Sequence, residues 1–182
     1  MRNYNAHDIE DMFRPYAKHI THVIVAHTTL RPYNATSEQQ LENMLIETRK
    51  SCAYALNCFY KLLYPNATNK PFRQADKYKP LTIVTTEGAR WTADRAQTIH
   101  VNIALGNLPS VLSTEEIETL FRHTWHDKAK QGTNIKVENY YEKNWVGYSL
   151  KEAQQQPSRA WNTNSNWDVG NCWIPTAAFN ED

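Results

Sequence analysis

The stretch "TSEQQLENMLIETRKSCAYALNCFYKLLY", opening at Thr36, most constrains the fold. Leu41, Met44, Leu45, Thr48, Cys52, Ala55, Leu56, Phe59, Leu62 and Leu63 recur at intervals of three and four, which makes one stripe of a long helix apolar. Ser37, with Gln40 three residues later, fits a capping box at its start, and Pro65 stops it. Such a stripe must be buried against a partner layer. The flanking segments have the composition that layer needs. "THVIVAHTTL" (Thr21 to Leu30) and "LTIVTTEG" (ending at Gly88) are β-branched and bounded by Pro32 and Gly88, so they read as strands.

The pattern continues. "ARWTADRAQ" is a loop or hairpin tip, and "TIHVNIALG" (Thr98 to Gly106) alternates like a third strand. "STEEIETLFRHTWHDKAKQG" is a second helix, with Ser113 and Glu116 marking its start and Gly132 its end. "NIKVENYY" is a fourth strand, and "EKNWVGYSLKEAQQQ" a third helix stopped by Pro157. The order β-α-β-β-α-β-α predicts an α+β domain of the ferredoxin-like, or split βαβ, kind. It has an antiparallel sheet, both crossover helices on one face, an added C-terminal helix, and the other face left for a ligand. The chain's 182 residues suit one domain, with a core over about 20–156 and an irregular tail over 157–182 that carries Trp161 and Trp167 and Trp173.

In that topology the first and third strands are central. Ile99, Val101, Ile103 and Leu105 then pack under the helices, while His100 and Asn102 share the opposite, open face. An imidazole nitrogen and an amide oxygen can both bind a divalent metal, and a carboxylate would complete the set. Glu87, ending the preceding strand, is the first candidate and Asp94, in the hairpin tip, the second. One nitrogen and two oxygens, partly open, suit Mg²⁺ or Mn²⁺. The plainer reading is a hydrogen-bonded polar pair on a wet sheet face. Tyr148 and Lys151 are three apart on one helix face. A phenol can attack a phosphodiester when a metal polarises the phosphate and a cation stands nearby. Tyr140 and Lys143 repeat the spacing, but Tyr140 ends a strand, so Tyr148 is preferred.

Together these pieces resemble the HUH endonucleases, most closely the single-tyrosine replication initiators (Rep proteins) of rolling-circle plasmids, phages and single-stranded DNA viruses. "VIVAHTT" is similar to the family's first motif, a hydrophobic strand ending in threonine. "HVN" is similar to its His-hydrophobe-His motif, with Asn102 in the variable place, and "YSLK" matches its Tyr-x-x-Lys. "TTEG" supplies Glu87 for the carboxylate ligand. The resemblance spans Thr21 to about Gln156. It implies a metal-dependent, site-specific nickase and strand transferase. Glu87, His100 and Asn102 would hold Mn²⁺ or Mg²⁺, Tyr148 would be the nucleophile and Lys151 would steady the phosphate. The product would be a 5′-phosphotyrosine and a free 3′-hydroxyl. No "GxxxxGK[ST]" run follows Gln156, so the expectation is a free-standing nickase that would rely on a host helicase and polymerase.

Other residues carry weaker readings. His27 ends the first strand and either contacts metal or phosphate or is a strand-end polar residue. His123 and His126, three apart on the second helix, are either a metal pair or flank Trp125 on a helix surface. Lys136 alternates away from Ile135 and Val137, toward the open face and a phosphate, and Arg73, Lys77 and Lys79 either hold backbone phosphates or form a solvated loop. The net charge of +1, from 20 basic and 19 acidic residues, gives no basic footprint unless charge is gathered on one face. Cys52, Cys58 and Cys172 read as reduced thiols. The N-terminus is too polar for a signal peptide, and no apolar run approaches a membrane span of ~20 residues. A cytoplasmic location, or the nucleus of a eukaryotic host, is expected. Two alternatives stand beside the initiator: a transposase or mobilisation relaxase of the same superfamily, and a non-catalytic single-strand-binding module on the same type of sheet.

Overall fold

The computed structural model describes residues 6–90, 92–141, 145–149 and 167–175. Four strands form one antiparallel sheet: β1 (Ile20–His27), β2 (Leu81–Glu87), β3 (His100–Gly106) and β4 (Ile135–Asn139), in the spatial order β2-β3-β1-β4. The helices are α1 (Ala6–Phe13), α2 (Glu38–Leu62), the short α3 (Lys70–Arg73) and α4 (Ala75–Tyr78), α5 (Thr114–Arg122) and α6 (Trp145–Ser149). Ser37 caps α2 by accepting from the Gln40 N–H, and Ser113 and Glu116 form a full capping box on α5. Both starts lie where the sequence predicts them.

The amphipathic stripes settle the first face of the sheet. Phe59 of α2 and Phe121 of α5 meet edge-on at 5.7 Å over Val84, Val101 and Ile103. α5 does not stop at Arg122. It continues as a π-helical turn over His123–Lys128, which places Trp125 in the core, stacked on Phe121 at 6.0 Å. The predicted face of β3 is therefore the buried one, and Val101 is 0 % exposed.

The second face corrects the expectation. Among the described residues it is covered over its β2–β3 half and stays open at the His100 end and along β4. Asn102 is 2 % exposed and Ala104 is fully buried. Ile9 and Phe13 of α1 and Trp145 of α6 pack on Leu81, Ile83 and Ala104. The N-terminal segment reads as polar by composition, yet Ile9 and Phe13 are one helical turn apart and give an eight-residue helix an apolar edge. The tail also differs from expectation. Trp173 and Thr82 exchange backbone hydrogen bonds at 2.7 Å, and Asp168 N–H donates to the Val84 carbonyl at 3.0 Å. The segment 167–173 thus lies along the outer edge of β2, where the Cys172 thiol accepts from the Val84 N–H and from Trp167 Nε1. Trp167 itself meets Phe13 edge-on at 5.4 Å.

Stability should separate the two faces. Val101→Ala empties a filled site and should cost about 1–3 kcal/mol. Asn102→Ala removes an amide whose nitrogen is buried with no hydrogen-bond partner, so it should change stability by less than about 1 kcal/mol. Urea unfolding monitored by tryptophan fluorescence checks both. Equal losses would mean that Asn102 is a packing residue.

Candidate active site

In an antiparallel ladder, residues directly opposite one another share a face. The register therefore sets a row of three across the sheet: Glu87 faces His100, and His100 faces His27. The next row is Thr85, Asn102, Val25 and Lys136. Both rows lie on the face that carries α6.

Within the first row, His100 Nε2 and Glu87 Oε2 are 3.1 Å apart. The Glu87 side chain has no exposed surface, while the His100 side chain keeps 20 %. The His27 ring stacks on His100 with centroids 4.9 Å apart and planes 24° from parallel. Its Nδ1 is held by the Thr98 hydroxyl at 2.8 Å. Burial, and then the neighbouring His100, push the His27 pKa down. Both causes disfavour a positive charge on the His27 ring. The backbone of His27 is fixed as well: its carbonyl accepts from Trp125 Nε1 at 2.9 Å, and its N–H donates to Asn134 at 3.0 Å.

Gly88 makes the meeting of Glu87 and His100 feasible. Its φ of +82° lies in the region that side chains disfavour, and a Cβ there would stand 2.7 Å from the Thr98 carbonyl oxygen and 3.5 Å from His100 Nδ1. Gly88→Ala should destabilise the chain by about 1–3 kcal/mol, readable as a lowered thermal midpoint. An unchanged midpoint would mean that the turn relaxes freely.

Glu87 and His100 offer one oxygen and one nitrogen donor side by side on this face. Two adjacent ligands on an octahedral ion with bonds of about 2.1 Å stand roughly 3 Å apart, close to the Glu87–His100 spacing. His100 Nδ1 and the Asn102 amide nitrogen are buried without hydrogen-bond partners. A half-turn of that amide would put a carbonyl oxygen in the same position. Among the described residues no group of three or more His, Cys, Asp or Glu side chains comes together to hold a metal.

The other candidates fall elsewhere. Asp94 accepts from the Ala96 N–H at 2.8 Å and closes its own turn, leaving Glu87 as the carboxylate beside His100. His123 bonds Asp127 and His126 bonds the Gln131 carbonyl, both at 2.8 Å, so the two do not form a metal pair. Lys136 stands on the site face, largely exposed, 2.8 Å from Glu138. Lys79 is drawn inward against the rings of Trp173 and Tyr60, at 4.5 and 5.6 Å. Arg73 and Lys77 belong to α3 and α4, before β2, and Glu87 ends that strand. Tyr148 lies in α6, three residues after the buried Trp145. Lys151, Lys143 and Trp161 lie outside the described residues.

No protein-family model, curated protein or solved structure matches the chain. No helix among the described residues is long and apolar enough to cross a membrane.

Proposed function

We propose that this chain is a metal-dependent nickase and strand transferase of the HUH type, which initiates rolling-circle replication by cutting single-stranded DNA. One observation carries the reading: Glu87 and His100 meet on the face of the sheet against which α6, the helix containing Tyr148, is packed through Trp145. The strand order, with α2 and α5 as crossovers on the opposite face, supports a ferredoxin-like split βαβ arrangement.

Glu87, His100 and Asn102 would hold Mn²⁺ or Mg²⁺, which when bound supplies Lewis-acid polarisation of the scissile phosphate. Tyr148 attacks phosphorus through its phenolic oxygen and loses the phenol proton. The bond from phosphorus to the 3′-oxygen breaks, and that oxygen leaves as a protonated 3′-hydroxyl. Lys151 balances charge on the phosphate. The 5′-phosphotyrosine keeps the bond energy, so the reverse step joins ends without a nucleotide cofactor. Lys136 stands at the side of this face and takes a neighbouring phosphate. A host helicase and polymerase would extend the released 3′ end.

The rival, a binding module without catalysis, calls for stacking aromatics on the central strands, and the site rows carry His100, Asn102 and His27 instead. The test is mass spectrometry of the protein after incubation with single strands and Mn²⁺. A nucleotide on the peptide containing Tyr148 is expected. No adduct on any tyrosine would favour the binding module.

A further inference from the structure

Charge is not spread evenly along the chain. Residues 61–79 hold five cations, Lys61, Lys70, Arg73, Lys77 and Lys79, against the single acid Asp76, while the other 163 residues hold 15 basic and 18 acidic side chains. Nearly neutral as a whole, the protein therefore has one segment of net +4. In the structure this segment comprises the end of α2, α3, α4 and the turns between them. It is also aromatic. Lys70 and Lys77 stand 4.7 and 5.3 Å from the ring of Tyr78, and Lys61 stands 5.8 Å from the ring of Phe72, which is 43 % exposed. Tyr64 props Tyr78 edge-on at 5.4 Å. Beside them Asn66, Thr68, Asn69, Lys70, Arg73 and Gln74 line an open hollow of about 430 Å³, rich in hydrogen-bond donors.

We propose that this segment is a second nucleic-acid contact, which takes the phosphates of a single strand on Lys70, Arg73 and Lys77 and a base on the exposed ring of Phe72. Clustered cations beside an exposed ring are what strand-tracking surfaces use: charge holds the backbone, and a ring face accepts any base. The place of the segment defines its role. It joins β2 at Leu81, whereas Glu87 ends that strand, and six residue steps of about 3.3 Å separate the two by roughly 20 Å. It cannot hold the phosphate being cut. Resting on the nickase reading, it would grip the same strand some six stacked nucleotides away, at about 3.4 Å each. Substrate length, rather than sequence alone, would then set affinity.

The test measures fluorescence anisotropy of labelled single strands of increasing length on the full chain, wild type and Lys70→Ser/Arg73→Ser/Lys77→Ser. Circular dichroism confirms folding of the variant. The wild type should gain about tenfold or more in affinity once the strand extends some six nucleotides past the cut on one side. The variant should lose that gain, and its salt slope should fall by about 2, since each single-strand phosphate contact contributes roughly 0.7. Independently of any variant, a photoreactive base placed at that distance should crosslink the wild type within residues 70–78. An equal length gain in both chains, or crosslinks that avoid this segment, would overturn the proposal. A length effect without any adduct on Tyr148 would instead overturn the nickase reading and leave the second contact standing.

Discussion

A Tyr148→Phe chain is expected to bind a cognate single strand and to form no covalent adduct with it. The substitution removes one hydroxyl and leaves the ring, so folding and strand binding should survive. Cleavage should fall by about 10³-fold or more, because a displacement that proceeds through an enzyme ester has no substitute for its nucleophile. Tyr140→Phe should still form adduct. Tyr140 follows β4 and donates its N–H to the Thr21 carbonyl at 2.8 Å, so its backbone belongs to the end of the sheet. Denaturing gel electrophoresis of the trapped complex, followed by peptide mapping, reads the outcome. An adduct on Tyr140 or Tyr141 would keep the enzyme class and refute the assignment of the nucleophile. Adduct formation by Tyr148→Phe at the wild-type rate would do the same.

The second large effect is expected at His100. Cleavage should require Mn²⁺ or Mg²⁺ and stop with EDTA. His100→Ala should weaken Mn²⁺ binding by about 100-fold, since losing even an outer partner of a ligand costs 10–100-fold. Binding is read by electron paramagnetic resonance of Mn²⁺ titrated into the chain without DNA, so the result does not depend on turnover. His27 adds a control. If its stacking at 4.9 Å merely orients His100, His27→Phe should keep most of the affinity that His27→Ala loses. Undiminished cutting in EDTA would sink the metal reading, as would Mn²⁺ affinity that ignores His100.

Much of this arrangement is legible in the sequence because period and caps are local signals. The three-and-four spacing from Leu41 to Leu63 and the Ser113–Glu116 pair placed α2 and the start of α5 without tertiary information. Alternation along β3 sorted Val101 from His100. What stayed hidden depends on register or on distant partners. His27 looks like a strand-end residue until the register of β1 against β3 sets it opposite His100. The cover over Ile83 and Ala104 comes from α1 and α6, whose apolar edges are short and whose docking no local pattern announces. The π-helical turn at His123 likewise has no local marker, yet it carries Trp125 under the carbonyl of His27. Lys79, one of a run of similar cations, differs from Lys77 because the ring of Trp173 lies beside it.

The bridges between segment 167–173 and β2 bear on self-association. A sheet with a bare outer strand offers a row of N–H and C=O groups to any second copy. Here Trp173 and Asp168 already occupy the row at Thr82 and Val84. The opposite rim, β4, is five residues long and bears Lys136 and Glu138. A short, charged strand is a poor template for another chain. Strand addition is thus discouraged at both rims, and a high local concentration of copies should not fuse their sheets. A partner would have to engage the chain through its loops, its helices or the exposed end of the His100 face.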